Sequence, residues 1–184
     1  ALLAILASEG ITRYALHVIT DGRDSAPKSA RALVKKLPND RIASIAGRYY
    51  AMDRDTNSDR TERAMRAICG EGFSAQSVDE VFETHYARNL SDEFIEPTVI
   101  GDGEANVRDG DLIICFNFRE DRMRPIVRTF IEKKPAVHLV TMIRYDRTFG
   151  VPVIFPPEEI KNHLGEVIAA SHHLRALVVA RDIL

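Results

Sequence analysis

Three clusters of charge follow apolar runs in this chain of 184 residues. Asp21-Gly22-Arg23-Asp24 follows Tyr14 to Thr20, Gly47-Arg48-Tyr49-Tyr50-Ala51-Met52-Asp53-Arg54-Asp55 follows Ile42 to Ala46, and Asn117-Phe118-Arg119-Glu120-Asp121-Arg122 closes the run that begins at Asp111. Strands ending in Arg23, Arg48 and Arg119, with Arg54 and Arg122 a short step further on, would aim several guanidinium groups at one rim. Such a cluster suits a small, multiply anionic molecule. Arginine stays protonated at any working pH and offers planar, paired donors to phosphate or carboxylate. Asp24 is the acid/base candidate, because a carboxylate beside arginines stays ionised and accepts a proton from a hydroxyl held against it. Single Arg and Asp residues after strands often serve only as structural ion pairs. Three clusters at corresponding places favour a site.

The elements that must carry these clusters follow from apolar spacing. Tyr14 to Thr20, Ile42 to Ala46, Asp111 to Phe118 and Val137 to Met142 read as short strands, and Phe94 to Ile100 as an extended segment around Pro97. Helices are predicted from Ser25 (N-cap) to Leu37, from Asp59 to Gly70, from Ser77 to Ala87 and from Pro157 to Ser171. A further helix, Arg119 to Lys134, is expected either to break at Pro125 or to start near it. Arg119 and Arg122, three apart at its start, would share a face and gain from the helix amides. Strands alternating with helices predict an α/β fold, a largely parallel sheet flanked by helices, in which ligands sit beyond the carboxyl ends of strands.

Composition narrows the function. Lys plus Arg is 25 against 27 for Asp plus Glu, a net charge of −2, so there is no broad polycation for nucleic acid or anionic membrane. A nucleic-acid surface built on Arg119, Arg122, Arg124 and Arg128 is the weaker alternative, since aromatics do not interleave with that run. No apolar stretch reaches the ~20 residues of a membrane helix. Ala1 to Ala7 reads as an exposed-ended helix and not a signal peptide, and the start on Ala suits a fragment. Cys69 and Cys115, far apart and unpatterned, suggest reduced thiols and a cytoplasmic setting, with Cys115 in the core. Tyr49 and Tyr50 read as packing residues, and His17, His85 and His138 as half-buried or surface histidines. The adjacent His172 and His173 lack a third ligand at metal spacing, so no metal site is expected within the chain. Phosphate-binding loops of the Walker or GxGxxG kind, GxSxG and CxxC are all missing.

DGRD at 21 to 24 with Pro27 and Lys28, IASIAGRYYAMDRD at 42 to 55, FNFREDRMR at 116 to 124 and FPPEEIKNHLGEVIA at 155 to 169 occur in that order. Together they closely resemble the cofactor-independent phosphoglycerate mutase family. The resemblance implies the inserted phosphotransferase domain of an isomerase related to alkaline phosphatases, in which a phosphatase-like domain carries two manganese ions and a serine nucleophile. Carried over by position, it implies substrate binding at Arg23, Asp24, Arg48, Arg54, Arg119 and Arg122, with Asp24 exchanging protons with the hydroxyls. It further implies 3-phosphoglycerate and 2-phosphoglycerate as ligands and the phosphatase-like domain as partner, with no metal or other cofactor held in this chain. Residues 1 to 160 would form the substrate-binding domain and 161 to 184 a return linker with the start of the phosphatase-like domain. Because the serine and metal motifs belong before Ala1 and after Leu184, the chain alone is expected to be inactive. The second reading is a non-catalytic binding module for small phosphorylated carboxylates. Departures from the family pattern are Ala26 for a proline, Asn57-Ser58 for an Arg-Trp pair, and Leu184 where the family has a substrate-binding lysine.

Overall fold

A buried strand with every side chain enclosed organises the first half of the chain. In the computed structural model, which describes residues 2–55, 57–102, 106–134, 136–157 and 166–167, this strand is Ile42–Gly47, β2, and all six of its residues are buried. Such continuous burial explains why its sequence is an unbroken small and apolar run instead of an alternation. Leu16–Thr20 (β1) lies parallel to it, pairing Leu16 with Ile42 and Thr20 with Gly47, so both charged clusters leave the same end of the sheet. Thr98–Ile100 (β4) joins the other edge of β2 antiparallel, and Phe73–Ala75 (β3) lies parallel to β4, giving the order β1-β2-β4-β3. Leu112–Cys115 (β5) and His138–Thr141 (β6) form a separate parallel pair, extended by a bridge from Thr141 to Val153. The fold is α/β with a mainly parallel sheet arrangement flanked by helices.

The helices are Leu2–Ser8 (α1), Ala30–Val34 (α2), Arg48–Ala51 (α3), Ser58–Ile68 (α4), Val78–Ala87 (α5) and Glu120–Lys133 (α6). Three of them start on legible caps or buried faces. Asn57 Oδ1 accepts the Arg60 amide at 3.4 Å, and Ser77 Oγ accepts the Glu80 amide at 3.2 Å while Glu80 Oε2 accepts the Gln76 amide at 2.7 Å. Helix α6 runs straight through Pro125 from Glu120, contrary to the expected break. A proline inside a helix costs ~3 kcal/mol. The buried stripe of Met123, Ile126, Val127 and Phe130 offsets that cost by packing into the core.

The helix expected from Ser25 to Leu37 is much shorter. Ser25 instead stays in the loop, its hydroxyl accepting the Gly22 amide at 3.1 Å, and α2 begins only at Ala30. Strand β3 was not anticipated; its pattern is short and mostly exposed, so it carries little apolar signal. The predicted strand Asp111 to Phe118 stops at Cys115, because Phe116 and Phe118 are solvent-exposed. His85, expected near the surface, is buried with both ring nitrogens engaged, Nδ1 with the Val81 carbonyl at 2.8 Å and Nε2 accepting the Glu96 amide at 2.9 Å. The helix predicted from Pro157 to Ser171, the pair His172-His173 and Leu184 lie outside the described residues, apart from a helical turn at 166–167.

Two hydrophobic cores result. One joins α3, α4, α6 and the β5/β6 pair through Tyr50, Met65, Cys115, Val127, Phe130 and Tyr145. The other fills the space between the four-stranded sheet, α2 and α5 with Val34, Ile45, Val81, Phe82 and Ile95. Tyr49 and Tyr50 pack edge to face at 5.0 Å, and the guanidinium groups of Arg60 and Arg63 lie 3.9 and 4.8 Å from their respective rings. Among the described residues no helix is long and apolar enough to cross a membrane.

Candidate functional site

The loop after β1 turns back on a single side chain. Asp21 Oδ1 accepts the amides of Arg23 and Asp24 at 3.4 and 3.3 Å, the local turn that Asp favours two and three residues ahead of itself. Gly22 permits this turn, with φ at +69° and the site of a Cβ only 2.6 Å from the Glu93 amide nitrogen. At the end of β2, Gly47 lies so close to the Glu93 carbonyl that a Cβ would fall 2.1 Å from its oxygen, and α3 starts at once with Arg48. Following β5, Asn117 Oδ1 accepts the Arg119 amide at 2.8 Å, which bends the chain into α6. The buried Tyr145 hydroxyl, donating to the carbonyls of Cys115 and Asn117, holds that bend from behind.

These turns bring Arg48, Arg54 and Arg119 within electrostatic reach of Arg122, beside a pocket of about 200 Å³ lined in part by Asp21, Asp24, Arg48, Met52 and Arg119. The Arg48 side chain is only 6% exposed, and its Nη1 donates to Asp21 and, at 2.6 Å, to Asp24 Oδ2. Although burial opposes it, these two carboxylates hold the Arg48 pKa above the ordinary value. Asp24 is 63% exposed, and the hydrogen bond from Arg48 leads the lowering of its pKa. Arg119 Nη1 sits 3.6 Å from the same Asp24 oxygen, and Arg119 Nε donates to Asp121 Oδ1 at 3.3 Å. Asp21 is pushed up by burial but pulled down further by the hydrogen bonds of Arg48, the Asp24 amide, Ser25 and the Arg23 amide, to about 2. It is therefore ionised throughout the neutral range.

Arg122 is the least satisfied member. It is 8% exposed, its Nη1 donates to the Met52 carbonyl at 3.2 Å, and among the described residues its buried Nε has no hydrogen-bond partner, a carboxylate oxygen of Asp121 lying 3.6 Å away. Burial, then the neighbouring charges of Arg119, Arg48 and Arg54, lower its pKa. A buried cation with an unpaired donor, surrounded by like charges, is stabilised by an anion. Arg54 is exposed, with Asp55 3.9 Å away.

Of the six residues expected at the site, Asp24, Arg48 and Arg119 line the pocket; Arg122 and Arg54 do not line it, Arg122 lying within electrostatic reach of Arg48, Arg119 and the exposed Arg54, and Arg23 is exposed and turns to Glu93 at 3.6 Å. Sequence reasoning missed the anchoring carboxylate of Asp21 and the Met52 carbonyl; the first was legible as the opening residue of an Asp-initiated turn, the second had no signal. Arg124 and Arg128 face the other way, to the Tyr145 carbonyl and Asp146, so the run Arg119 to Arg128 does not form one basic surface. Among the described residues no group of three or more His, Cys, Asp or Glu side chains is placed to hold a metal ion, so the residues present do not fit one. A second depression, near Arg31, Lys35 and Asp79, is internally neutralised by ion pairs from Arg31 to Asp79 and Glu83.

Comparison with known proteins extends this geometry. Residues 1–147 match the family described as BPG-independent PGAM N-terminus. The 2,3-bisphosphoglycerate-independent phosphoglycerate mutase of Moorella thermoacetica is 42% identical over 192 residues, which cover 93% of this chain and 37% of the relative. That of Symbiobacterium thermophilum is 44% identical over 199 residues, covering 98% of this chain and 38% of the relative. A solved structure of Leishmania mexicana phosphoglycerate mutase, crystallised at low cobalt concentration, is similar with a TM-score of 0.76 at 25% identity, over 92% of this chain and 37% of that one. The chain thus spans a little over a third of the length of the relatives it matches.

Proposed function

This chain belongs to the BPG-independent phosphoglycerate mutase N-terminus family, and from that membership we propose that it is the substrate-holding domain of an isomerase interconverting 3-phosphoglycerate and 2-phosphoglycerate. The observation that carries this reading is the gathering of Arg48, Arg54 and Arg119 within electrostatic reach of Arg122, whose buried Nε has no hydrogen bond among the described residues. Phosphoglycerate is a multiply charged anion with hydroxyl oxygens between its charges. Arg48 and Arg119 already grip an exposed carboxylate, that of Asp24, and would hold a ligand carboxylate or phosphate through the same donors. Arg122, buried behind them, and Arg54, exposed at the surface, would add positive charge.

Asp24, ionised and exposed at the surface, would manage the protons. In this reading a serine oxygen bonds to phosphorus as the phosphoryl group leaves the 3-oxygen of the glycerate, and Asp24 takes up the serine's proton and delivers it to the departing 3-oxygen. In the return step the 2-hydroxyl attacks the phosphoserine, and its proton passes through Asp24 to the serine oxygen as that oxygen leaves phosphorus. The arginines keep the glycerate bound while it turns, which makes the second transfer intramolecular. The serine and the two manganese ions belong, on this reading, to the part of the relatives' length that this chain does not span. Residues 1–160 would form the holding domain and 161–184 the linker back to that part.

Titration of the chain with 3-phosphoglycerate, followed by backbone and arginine side-chain NMR without manganese, tests the reading. Selective shifts at Asp24, Arg48, Arg54, Arg119 and Arg122, with weaker responses to inorganic phosphate and tartrate, are expected. No response at millimolar ligand, or equal responses to all three, would overturn it.

A further inference from the structure

A buried carboxylate that the arginine cleft does not use holds the loop bearing Asp24. Asp92 opens the short 3-10 turn Asp92–Phe94 and is 0% exposed. Its Oδ2 accepts the Ala30 amide at 2.8 Å and its Oδ1 the Tyr86 hydroxyl at 2.6 Å. Its main-chain N–H donates to the Pro27 carbonyl at 2.7 Å, and its carbonyl accepts the Thr20 hydroxyl at 2.7 Å. Thr20 is the last residue before the loop, Pro27 lies in its final turn, and Ala30 begins α2. Both ends of loop 21–29 are therefore tied to one residue. Neither of Ser25 and Ser29 caps α2 with its side chain; the acceptor for the Ala30 amide comes from 62 residues further along the chain. The same turn abuts Gly22 and Gly47 closely enough that neither tolerates a Cβ, so it fixes the loop against the start of α3, where Arg48 lies.

We propose that Asp92 is a positioning residue of the anion site: its carboxylate fixes where loop 21–29 enters α2 and so holds Asp24 at the rim beside Arg48, where it would meet a hydroxyl of the ligand. The ligand's identity rests on the phosphoglycerate reading above; the tie between Asp92 and the loop does not. A carboxylate suits the place because two donors, one N–H and one O–H, converge on it from different elements. Asparagine can replace it, accepting the Ala30 amide through its oxygen and donating to the Tyr86 oxygen, whereas alanine leaves both partners unpaired.

Amide hydrogen exchange of the whole chain, paired with 3-phosphoglycerate titration, separates this role from a general contribution to stability. Asp92→Ala is expected to speed exchange at Ala30 and across loop 21–29 while β2 and α4 keep their protection, and to weaken 3-phosphoglycerate binding by roughly tenfold, because Asp24 is no longer held where it meets the ligand's hydroxyl. Asp92→Asn should restore both to within ~3-fold of the parent chain. Tyr86→Phe removes one partner only, and should loosen the loop locally if Asp92→Ala fails to fold. Uniform loss of protection in Asp92→Ala and Tyr86→Phe alike, no loss in either, or local loosening with unchanged affinity would overturn the proposal. A parent chain that ignores 3-phosphoglycerate, beside variants that loosen only the loop, would overturn the ligand reading and support the positioning role.

Discussion

Asp24 occupies a place that, on the proposed reading, an anionic ligand would take. Its Oδ2 lies 2.6 Å from Arg48 Nη1 and 3.6 Å from Arg119 Nη1, so an incoming phosphate competes with a carboxylate of the chain itself. Asp24 is exposed, so on leaving Arg48 its carboxylate returns to water, and the freed Asp24 would then be available for proton transfer. Asp24→Asn is accordingly expected to bind inorganic phosphate tighter by roughly two- to five-fold, the reach of an exposed ion pair. Calorimetric titration of phosphate into the two chains checks this, and weaker binding by the variant would exclude the competition. In a complete mutase the same substitution should depress turnover strongly, since an amide cannot take up the proton. Asp21, by contrast, is an anchor: it fixes two amides and Arg48 at once, and its local turn is readable from the sequence alone.

At the scale of elements, the pairing of β1 with β2 sets the site, because it brings the loop after Thr20 beside the start of α3 at Arg48. A histidine lies in that pairing. His17 Nδ1 and Ser44 Oγ are 2.9 Å apart across the two strands, and burial lowers the His17 pKa from 6.5 to about 4. The folded chain therefore keeps His17 neutral in a range where the unfolded chain takes up a proton, so unfolding binds protons and stability falls as pH drops through it. His17→Gln should remove the part of the acid sensitivity that falls between pH 6.5 and about 4. Urea unfolding midpoints of the two chains, measured across that window, should converge toward low pH if this holds and run parallel if it does not. Local patterns located the long elements well, since α4, α5 and α6 each bury one stripe. They failed for α2 and β3, whose limits depend on distant partners: Asp92 at the start of α2, and β4 alongside β3.

For the whole molecule, two cores must form before the arginines converge, because Arg119 and Arg122 ride on the α6 core while Asp24 rides on the sheet and its own core. Phe130, 2% exposed on α6, is a member of the first core. Phe130→Ala should cost ~3–5 kcal/mol of stability, read from equilibrium urea unfolding, and by loosening the seat of α6 should also weaken anion binding. A loss under ~1 kcal/mol would mean that this core does not set the position of α6. The sequence by itself determined the alternation of strand and helix, the placing of charge just beyond strand ends and the family, because these depend on neighbouring residues and on motifs that are contiguous in the chain. Only the tertiary structure decided that Arg23 turns to Glu93, that the buried Arg122 Nε has no hydrogen bond among the described residues, that Pro125 lies within an unbroken helix and that Asp92 ties down the loop. Each of these depends on a partner many residues away or on burial shared between elements, and neither spacing nor composition encodes which distant group will stand within hydrogen-bonding reach.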